Sequence, residues 1–184
     1  GPQAIDAELA QRLLSRALAQ GGDFADLYFE YRRSASLSME DGRVRSAGGG
    51  IDMGLGVRVV VGAAVGYAYA ESLEPEEMMR AAETASQIAR AGKAVAPAAV
   101  QASRRGKDAY PVAREVTDVD GPARVELLRR ADKAARAYDR KIKRVDASLL
   151  AVHKEVLVVT SDGMMAVDVR PMVRISLSAV ARRG

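Results

Sequence analysis

The segment from Phe24 to Leu73 contains four strand-like runs that are joined by glycine-bearing turns. In the first run, Leu27 and Phe29 alternate with polar residues at a period of two, which is typical of a strand with one buried face. Asp41-Gly42 has the composition of a tight hairpin turn, because glycine adopts positive φ without strain. The segment therefore predicts a set of antiparallel hairpins.

The strand-like runs are predicted to be short, because basic or glycine residues interrupt them. Arg32-Arg33-Ser34 is expected to turn the chain from one strand into the next. Gly48-Gly49-Gly50 is expected to separate a return strand from a longer strand between Ile51 and Val61. His153-Lys154 forms a similar basic corner in the second half of the chain.

Three helices are predicted from apolar residues at helical spacing. The first runs from Ile5 to Gln20, the second starts at about Pro75, and the third follows Gly121-Pro122. Strand patterns return between Asp146 and Ala181. The buried stripe expected on the third helix consists of Val125, Leu128, Ala131, Ala135, Tyr138 and Ile142.

Between residues 93 and 120 the periodicity disappears, and Ala, Pro, Gly and charged residues dominate. A structureless loop of that length inside one compact domain is unusual, so this stretch is interpreted as a linker. The fold class expected is α+β, with two small sheet-and-helix units and mostly antiparallel hairpins. Residues 1–2 are interpreted as the scar of a cleaved tag, 3–92 as the N-terminal domain and 121–184 as a second unit truncated at its C-terminal end.

Composition limits the chemistry that the chain can carry. It has no cysteine, which excludes disulfides, thiolate zinc sites and cysteine nucleophiles. No apolar run approaches the ~20 residues of a membrane span, and the first residues do not resemble a signal peptide. A soluble, cytoplasmic protein without a membrane partner is expected.

His153 is the only histidine. A catalytic zinc site needs about three protein ligands and an open position for water, and no His-Glu-x-x-His spacing is present. A turn or surface position is the favoured interpretation of His153, and no catalytic or metal-binding residue is predicted in the chain. Gly54 and Gly56 lie two apart in a strand, so both leave the same face bare, as at a bulge or a close backbone approach.

The ordered set of motifs resembles the TldD/PmbA (TldD/TldE) zinc metallopeptidases, a family also known as modulators of DNA gyrase, and the later segments are closer to TldD. The resemblance covers most of the chain. It rests on Phe24-Ala-Asp-Leu-Tyr28, Glu40-Asp-Gly42, Gly54-Leu-Gly-Val-Arg58, Gly66-Tyr-Ala-Tyr-Ala70, Arg129-Arg-Ala-Asp-Lys-Ala-Ala-Arg136, Thr160-Ser-Asp-Gly163 and Asp168-Val-Arg-Pro-Met-Val-Arg-Ile-Ser176.

This resemblance implies proteolysis of unstructured peptides at a zinc site. In the proteins of this family the zinc site lies in the C-terminal half, and this chain does not contain that half. The chain would be the non-catalytic N-terminal region, which shapes the peptide channel and part of the interface with a TldE/PmbA-like subunit in a heterodimer or with a copy of itself. Its other partner would be its own missing C-terminal domain. The residues expected to bind substrate are Gly54, Gly56, Arg58 and Arg170; Arg170 precedes Pro171, which is typical of a strand edge or bulge.

Two other classes of function remain open. One is an assembly module that never touches substrate. The other is a nucleic-acid or gyrase-binding adaptor, because the basic excess behind the net charge of +4 is local, at Arg104-Arg105, at Lys107 and between Arg129 and Arg144. No aromatic platform for bases accompanies this basic stretch, so a solvated helix face is favoured and nucleic acid is an unlikely partner.

Overall fold

The computed structural model describes residues 5–89, 97–101, 104–105, 111 and 113–182, so Gly1-Pro2 lies outside the described residues. The helices are α1 (Ala7–Ala17), α2 (Pro75–Ile88) and α3 (Gly121–Tyr138), with a 3-10 turn at Val116–Asp118. The strands are β1 (Phe24–Glu40), β2 (Arg43–Val61), β3 (Ala64–Ala70), β4 (Arg104–Arg105), β5 (Ile142–Thr160) and β6 (Met165–Ala181).

The strands are hydrogen-bonded in the order β3-β2-β1-β5-β6-β4. β2 and β3 are antiparallel, and their register pairs Gly56 with Tyr69 and Val61 with Ala64. The two-residue strand β4 is parallel to β6, opposite Ala166 and Val167. The sheet is mostly antiparallel and carries helices, which confirms the α+β class.

The strands are much longer than the sequence predicts, because the expected breaks do not interrupt them. β1 passes through Arg32-Arg33-Ser34, β2 through Gly48-Gly49-Gly50 and β5 through His153-Lys154. At Gly49 a Cβ atom would lie 2.6 Å from the carbonyl oxygen of Ser34. The glycine therefore permits a close approach between strands, and these three predicted breaks are wrong.

Contacts divide the chain into two compact units that share the long strands. Unit one comprises residues 1–32, 52–109 and 154–169, and unit two comprises residues 33–51, 110–153 and 170–184. The predicted domains, 3–92 and 121–184, are contiguous in sequence, whereas each of these units combines separate segments of the chain. The predicted domains stay a prediction. Part of the predicted linker 93–120, at 93–96, 102–103, 106–110 and 112, lies outside the described residues; its described part includes β4 and the 3-10 turn.

The core of unit one lies between one face of its strands and helices α1 and α2. Asp6 caps α1 by accepting a hydrogen bond from the N–H of Leu9 at 2.8 Å. Helix α2 packs against β3 at Gly66, where a Cβ atom would lie 2.2 Å from the carbonyl oxygen of Ala85. The buried residues include Leu13, Leu14, Leu27, Phe29, Leu55, Val57, Val59, Met78 and Leu157.

The core of unit two is smaller. Its buried apolar cluster in the described part of the chain consists of Leu37, Met39, Leu128, Ala147, Leu149 and Ala151, which pack together with Val116 and Val125. Leu128 is the buried residue of α3, whereas Tyr138, which was expected on the same stripe, is 90% exposed. The helix therefore covers the strands over part of its length, and the predicted stripe is wrong at its C-terminal end.

The Asp41-Gly42 turn does more than reverse the chain. Both residues have positive φ, 49° and 73°, which confirms the predicted tight hairpin turn. The carboxylate of Asp41 accepts a hydrogen bond from the N–H of Val145 at 3.0 Å and pairs with Arg136 of α3. One turn residue thus joins the β1–β2 hairpin to β5 and to the helix of unit two.

Candidate functional site

The solvent face of the unit-one sheet carries the residues that the sequence singled out. In β2, Leu55, Val57 and Val59 are buried, so Gly54, Gly56 and Arg58 lie on the opposite face. The bare strand face expected from the glycine spacing is therefore present, and it is the face turned away from the core.

A shallow groove of about 330 Å³ lies on this face. We call it the tyrosine groove, because Tyr28 of β1 and Tyr67 and Tyr69 of β3 line it, and these side chains are 39%, 58% and 67% exposed. The remaining lining residues are Glu30, Asp52, Met53, Gly54, Leu55, Gly56, Ala70 and Glu71.

The two glycines make room for parts of the protein itself. A Cβ atom at Gly54 would lie 2.5 Å from the carbonyl oxygen of Ala70, and one at Gly56 would lie 2.7 Å from the hydroxyl of Tyr67. The space above Gly56 is thus filled by the Tyr67 ring. A substrate backbone that approached Gly56 would have to displace that ring, so the substrate-binding role of these glycines stays a prediction.

Two carboxylates of the groove, those of Glu30 and Asp52, pair with cations from neighbouring positions. Oε2 of Glu30 accepts hydrogen bonds from the hydroxyl of Tyr28 at 2.8 Å and from Nζ of Lys154 at 2.9 Å. Burial raises the pKa of Glu30, but these two hydrogen bonds and the positive charges of Lys154 and Arg32 together outweigh burial and lower it below its ordinary value. Asp52 pairs with Arg32 at 3.0 Å. Glu30 therefore stays ionised at neutral pH.

Arg58 and Arg170 are not lining residues of the groove. Arg58 pairs with Asp26 on the same solvent face of unit one. Arg170 is exposed and belongs to β6 in unit two, where it precedes Pro171. Arg170 and Pro171 lie C-terminal to the positions at which β4 pairs with β6. The four residues expected to bind substrate therefore do not form one site within either unit.

Sequence reasoning did not single out the tyrosines of the groove. Tyr67 and Tyr69 were noted as part of a motif, and their spacing in Gly66-Tyr-Ala-Tyr-Ala70 places both on one face of a strand. That alternation was a usable signal. Tyr28 joins them only because β1 and β3 both pair with β2.

The described residues do not fit the metal of a metallopeptidase. No group of three or more His, Asp or Glu side chains in the described ranges is arranged to hold a metal ion. His153 is buried, and its Nε2 lies 3.8 Å from a carboxylate oxygen of Glu115. Arg33 lies 3.6 Å from the same carboxylate, and its positive charge would oppose a divalent cation there.

None of the helices that the structure describes combines the length and the apolar content needed to cross a bilayer.

The chain matches two adjacent family models. Residues 25–89 match the PmbA/TldA metallopeptidase domain 1, and residues 114–184 match the PmbA/TldA metallopeptidase central domain.

Curated relatives support the same assignment. The metalloprotease TldD homolog of Haemophilus influenzae is 35% identical over 165 residues, which cover 86% of this chain and 33% of the relative. The metalloprotease TldD homolog of Buchnera aphidicola subsp. Schizaphis graminum is 29% identical over 163 residues, which cover 88% of this chain and 34% of the relative. The chain thus spans about a third of the length of these relatives.

Solved structures show the same fold at low sequence identity. TldE from Thermococcus kodakarensis superposes with a TM-score of 0.74 at 18% identity, over 96% of this chain and 40% of that chain. A putative modulator of a DNA gyrase from Thermotoga maritima superposes with a TM-score of 0.72 at 18% identity, over 95% of this chain and 40% of that chain.

Proposed function

The chain belongs to the PmbA/TldD metallopeptidase family, and we propose that it is the non-catalytic N-terminal region of a TldD-like zinc metallopeptidase that cleaves unstructured peptides. In that role it shapes the channel through which the peptide reaches the metal and forms part of the interface between subunits. The observation that carries this proposal is the apolar surface that unit two leaves uncovered on β6.

Val173, Ile175 and Leu177 are 50%, 47% and 45% exposed. They lie two residues apart in β6, so their side chains share one face of the strand. A contiguous exposed apolar patch on a globular protein is typical of an interaction site. This patch, which we call the β6 patch, supports contact with the rest of the parent protein or with a partner subunit.

The peptide role is supported by β3. This strand is the first in the strand order, and its residues Tyr67, Tyr69 and Ala70 line the tyrosine groove. An extended peptide binds an exposed sheet edge by adding a strand, and its backbone then supplies most of the hydrogen bonds. This mode suits an enzyme that acts on unstructured chains of varied sequence.

The metal would be held outside this chain, because the described residues do not supply its ligands. Zinc in the parent enzyme would provide the activated water for peptide hydrolysis. The contribution of this chain would be binding and orientation alone.

The β6 patch is tested by Ile175→Asp in the complete enzyme with its partner subunit. A buried carboxylate without a partner is costly, so we expect the subunits to dissociate in size-exclusion chromatography with light scattering. Ser178→Asp is the matched control, since Ser178 is an exposed residue on the opposite face of β6. Unchanged assembly of the Ile175→Asp enzyme would contradict the interface role.

The peptide role is tested by Gly56→Val in the same enzyme. The new side chain would displace Tyr67, so we expect weaker binding of an unfolded peptide at unchanged zinc content. Loss of subunit pairing with intact peptide binding would instead favour a pure assembly module. Steeply salt-dependent DNA binding, lost when Arg129, Lys133 and Arg136 are neutralised, would favour a nucleic-acid adaptor.

A further inference from the structure

The tyrosine groove has a charge of its own. The charged side chains in its lining are all carboxylates, those of Glu30, Asp52 and Glu71. The chain as a whole carries a net charge of +4. The three carboxylates outnumber the two cations, Lys154 and Arg32, that pair with Glu30 and Asp52, so the groove attracts cationic groups locally.

The tyrosines add a second attraction for the same kind of group. The face of a tyrosine ring attracts an ammonium or guanidinium ion that lies within about 6 Å of its centre. Side chains two residues apart on a strand are roughly 7 Å apart, so one cationic head group reaches the rings of both Tyr67 and Tyr69. These two side chains are more than half exposed and therefore accessible.

The carboxylates keep capacity for a further hydrogen-bond donor. The bonds from Tyr28 and Lys154 to Glu30 both end on Oε2, whereas an ionised carboxylate accepts about four hydrogen bonds. The side chain of Asp52 is 72% exposed beside its partner Arg32. A second cation would therefore find oxygen atoms at the rim of the groove.

The volume of the groove limits the size of its ligand. About 330 Å³ lies at the lower end of the range for small-molecule pockets. It suits one or two side chains rather than a folded partner or a whole peptide.

We infer that the tyrosine groove binds a basic side chain, Arg or Lys, of an extended peptide that pairs along β3. The inference rests on the proposed peptide role and adds a preference for side-chain chemistry to it. The cation lies over Tyr67 and Tyr69, and the carboxylates of Asp52 and Glu71 receive its N–H donors.

The inference is tested by peptide binding to the 184-residue chain, which requires neither metal nor catalysis. The probes are short, fluorescently labelled Gly/Ser-rich peptides that differ at one central residue: Arg, Lys, Gln or Glu. Binding is followed by fluorescence anisotropy. We expect the Arg peptide to bind about tenfold more tightly than the Gln peptide, because a ring contact and a charge-assisted hydrogen bond are both lost with the cation. The Glu peptide should bind most weakly.

Two variants locate the binding site. Tyr69→Leu keeps an apolar side chain of similar reach but removes the aromatic face, and Glu71→Gln removes a charge. Each should weaken binding of the Arg peptide several-fold and leave the Gln peptide unchanged. Tyr138→Leu is the matched control, because Tyr138 is a 90% exposed tyrosine on α3, in unit two. Far-UV circular dichroism checks that each variant is folded.

Equal affinity for the Arg and Gln peptides would overturn the inference, and so would an equal loss in the Tyr138→Leu control. Tighter binding of the Gln peptide would overturn it as well, because the groove would then be an uncharged subsite. None of these results would affect the assembly and zinc-content measurements on the complete enzyme, so failure of the inference and failure of the proposed function are distinguishable.

Discussion

The two units use the same long strands but bury them to different extents. In unit one, α1 and α2 cover the strands, and twenty described apolar residues form the buried cluster. In unit two, α3 contributes Leu128 to the corresponding cluster, which has six described residues. Three of those six are alanine or methionine side chains.

This difference predicts a structural role for unit one and an interaction role for unit two. Burial of apolar area is the main favourable term in folding, so unit one has the larger reserve of stability. Unit two leaves apolar side chains of β6 in water, which favours association with another surface. We therefore expect unit one to act as the scaffold and unit two to gain stability from its partners.

The largest effect on the free energy of unfolding should come from truncating one buried side chain in the core of each unit. Phe29→Ala in unit one should lower the free energy of unfolding by about 3–5 kcal/mol, because a fully buried ring is removed from a packed core. Leu128→Ala in unit two should cost about 2 kcal/mol, near the lower end for a buried leucine, because a thin core collapses more easily around the cavity. Urea denaturation of the chain measures both values.

Hydrogen exchange sharpens the same comparison. Leu128→Ala should speed amide exchange in α3 while the amides of α1 stay protected, since local opening follows local burial. Equal exchange in both helices would mean that the units unfold together, and the distinction drawn between them would then be wrong.

A smaller effect is expected from a methyl group added to a glycine in each unit. Gly66→Ala in unit one places a Cβ atom 2.2 Å from the carbonyl oxygen of Ala85, so α2 must move, at a cost of about 1–3 kcal/mol. Gly50→Ala in β2 of unit two meets nothing within 4 Å and should be close to neutral. Thermal unfolding of the two variants compares them directly, and an equal loss would contradict the tight helix packing assigned to unit one.

The smallest effect concerns the turn that joins the elements of unit two. The backbone N–H of Val145, together with the guanidinium of Arg136, lowers the pKa of the Asp41 carboxyl below its ordinary value of 3.8. A lowered pKa in the folded state means that the ionised form is the stabilising one. Its contribution is present above about pH 3.8 and is lost as the pH falls through the folded-state pKa.

Asp41→Asn provides the control for that titration, because asparagine tolerates positive φ but does not ionise. The variant should be slightly less stable than the parent chain at neutral pH, and the difference should shrink below about pH 3.8. Amide exchange of α3 as a function of pH measures this. A difference that grows as the pH falls would contradict the assignment.

The residues that form turns were predictable from the sequence, but the geometry of each turn was not. The dipeptide Asp-Gly, whose composition is typical of a tight turn, occurs at 41–42 and at 162–163. At the first, both residues have positive φ, whereas at the second the glycine of the pair does, with a φ of 95°. There the N–H of Thr160 donates to the carbonyl of Met164, which closes a three-residue loop in place of the two-residue loop.

The candidate site was predictable in part for a similar reason. The spacing of Gly54 and Gly56 indicated a bare strand face, and the structure has one. What fills that face depends on the register of β3 against β2, which places the ring of Tyr67 over Gly56. Periodicity within one strand carries no information about the register of its neighbour.

The sequence by itself determined the alternation of the strands, the start of α2 at Pro75, the turn residues and the family, because each depends on residues close together in the chain. Only the tertiary structure decided how far the strands run, since the positions predicted as corners are places where a strand passes from one unit to the other. The tyrosine groove was likewise decided by strand pairing, because Tyr28 and Tyr69 lie far apart in sequence and meet across β2. Long-range hydrogen bonding and helix coverage set these features, and a local pattern of residues does not encode them.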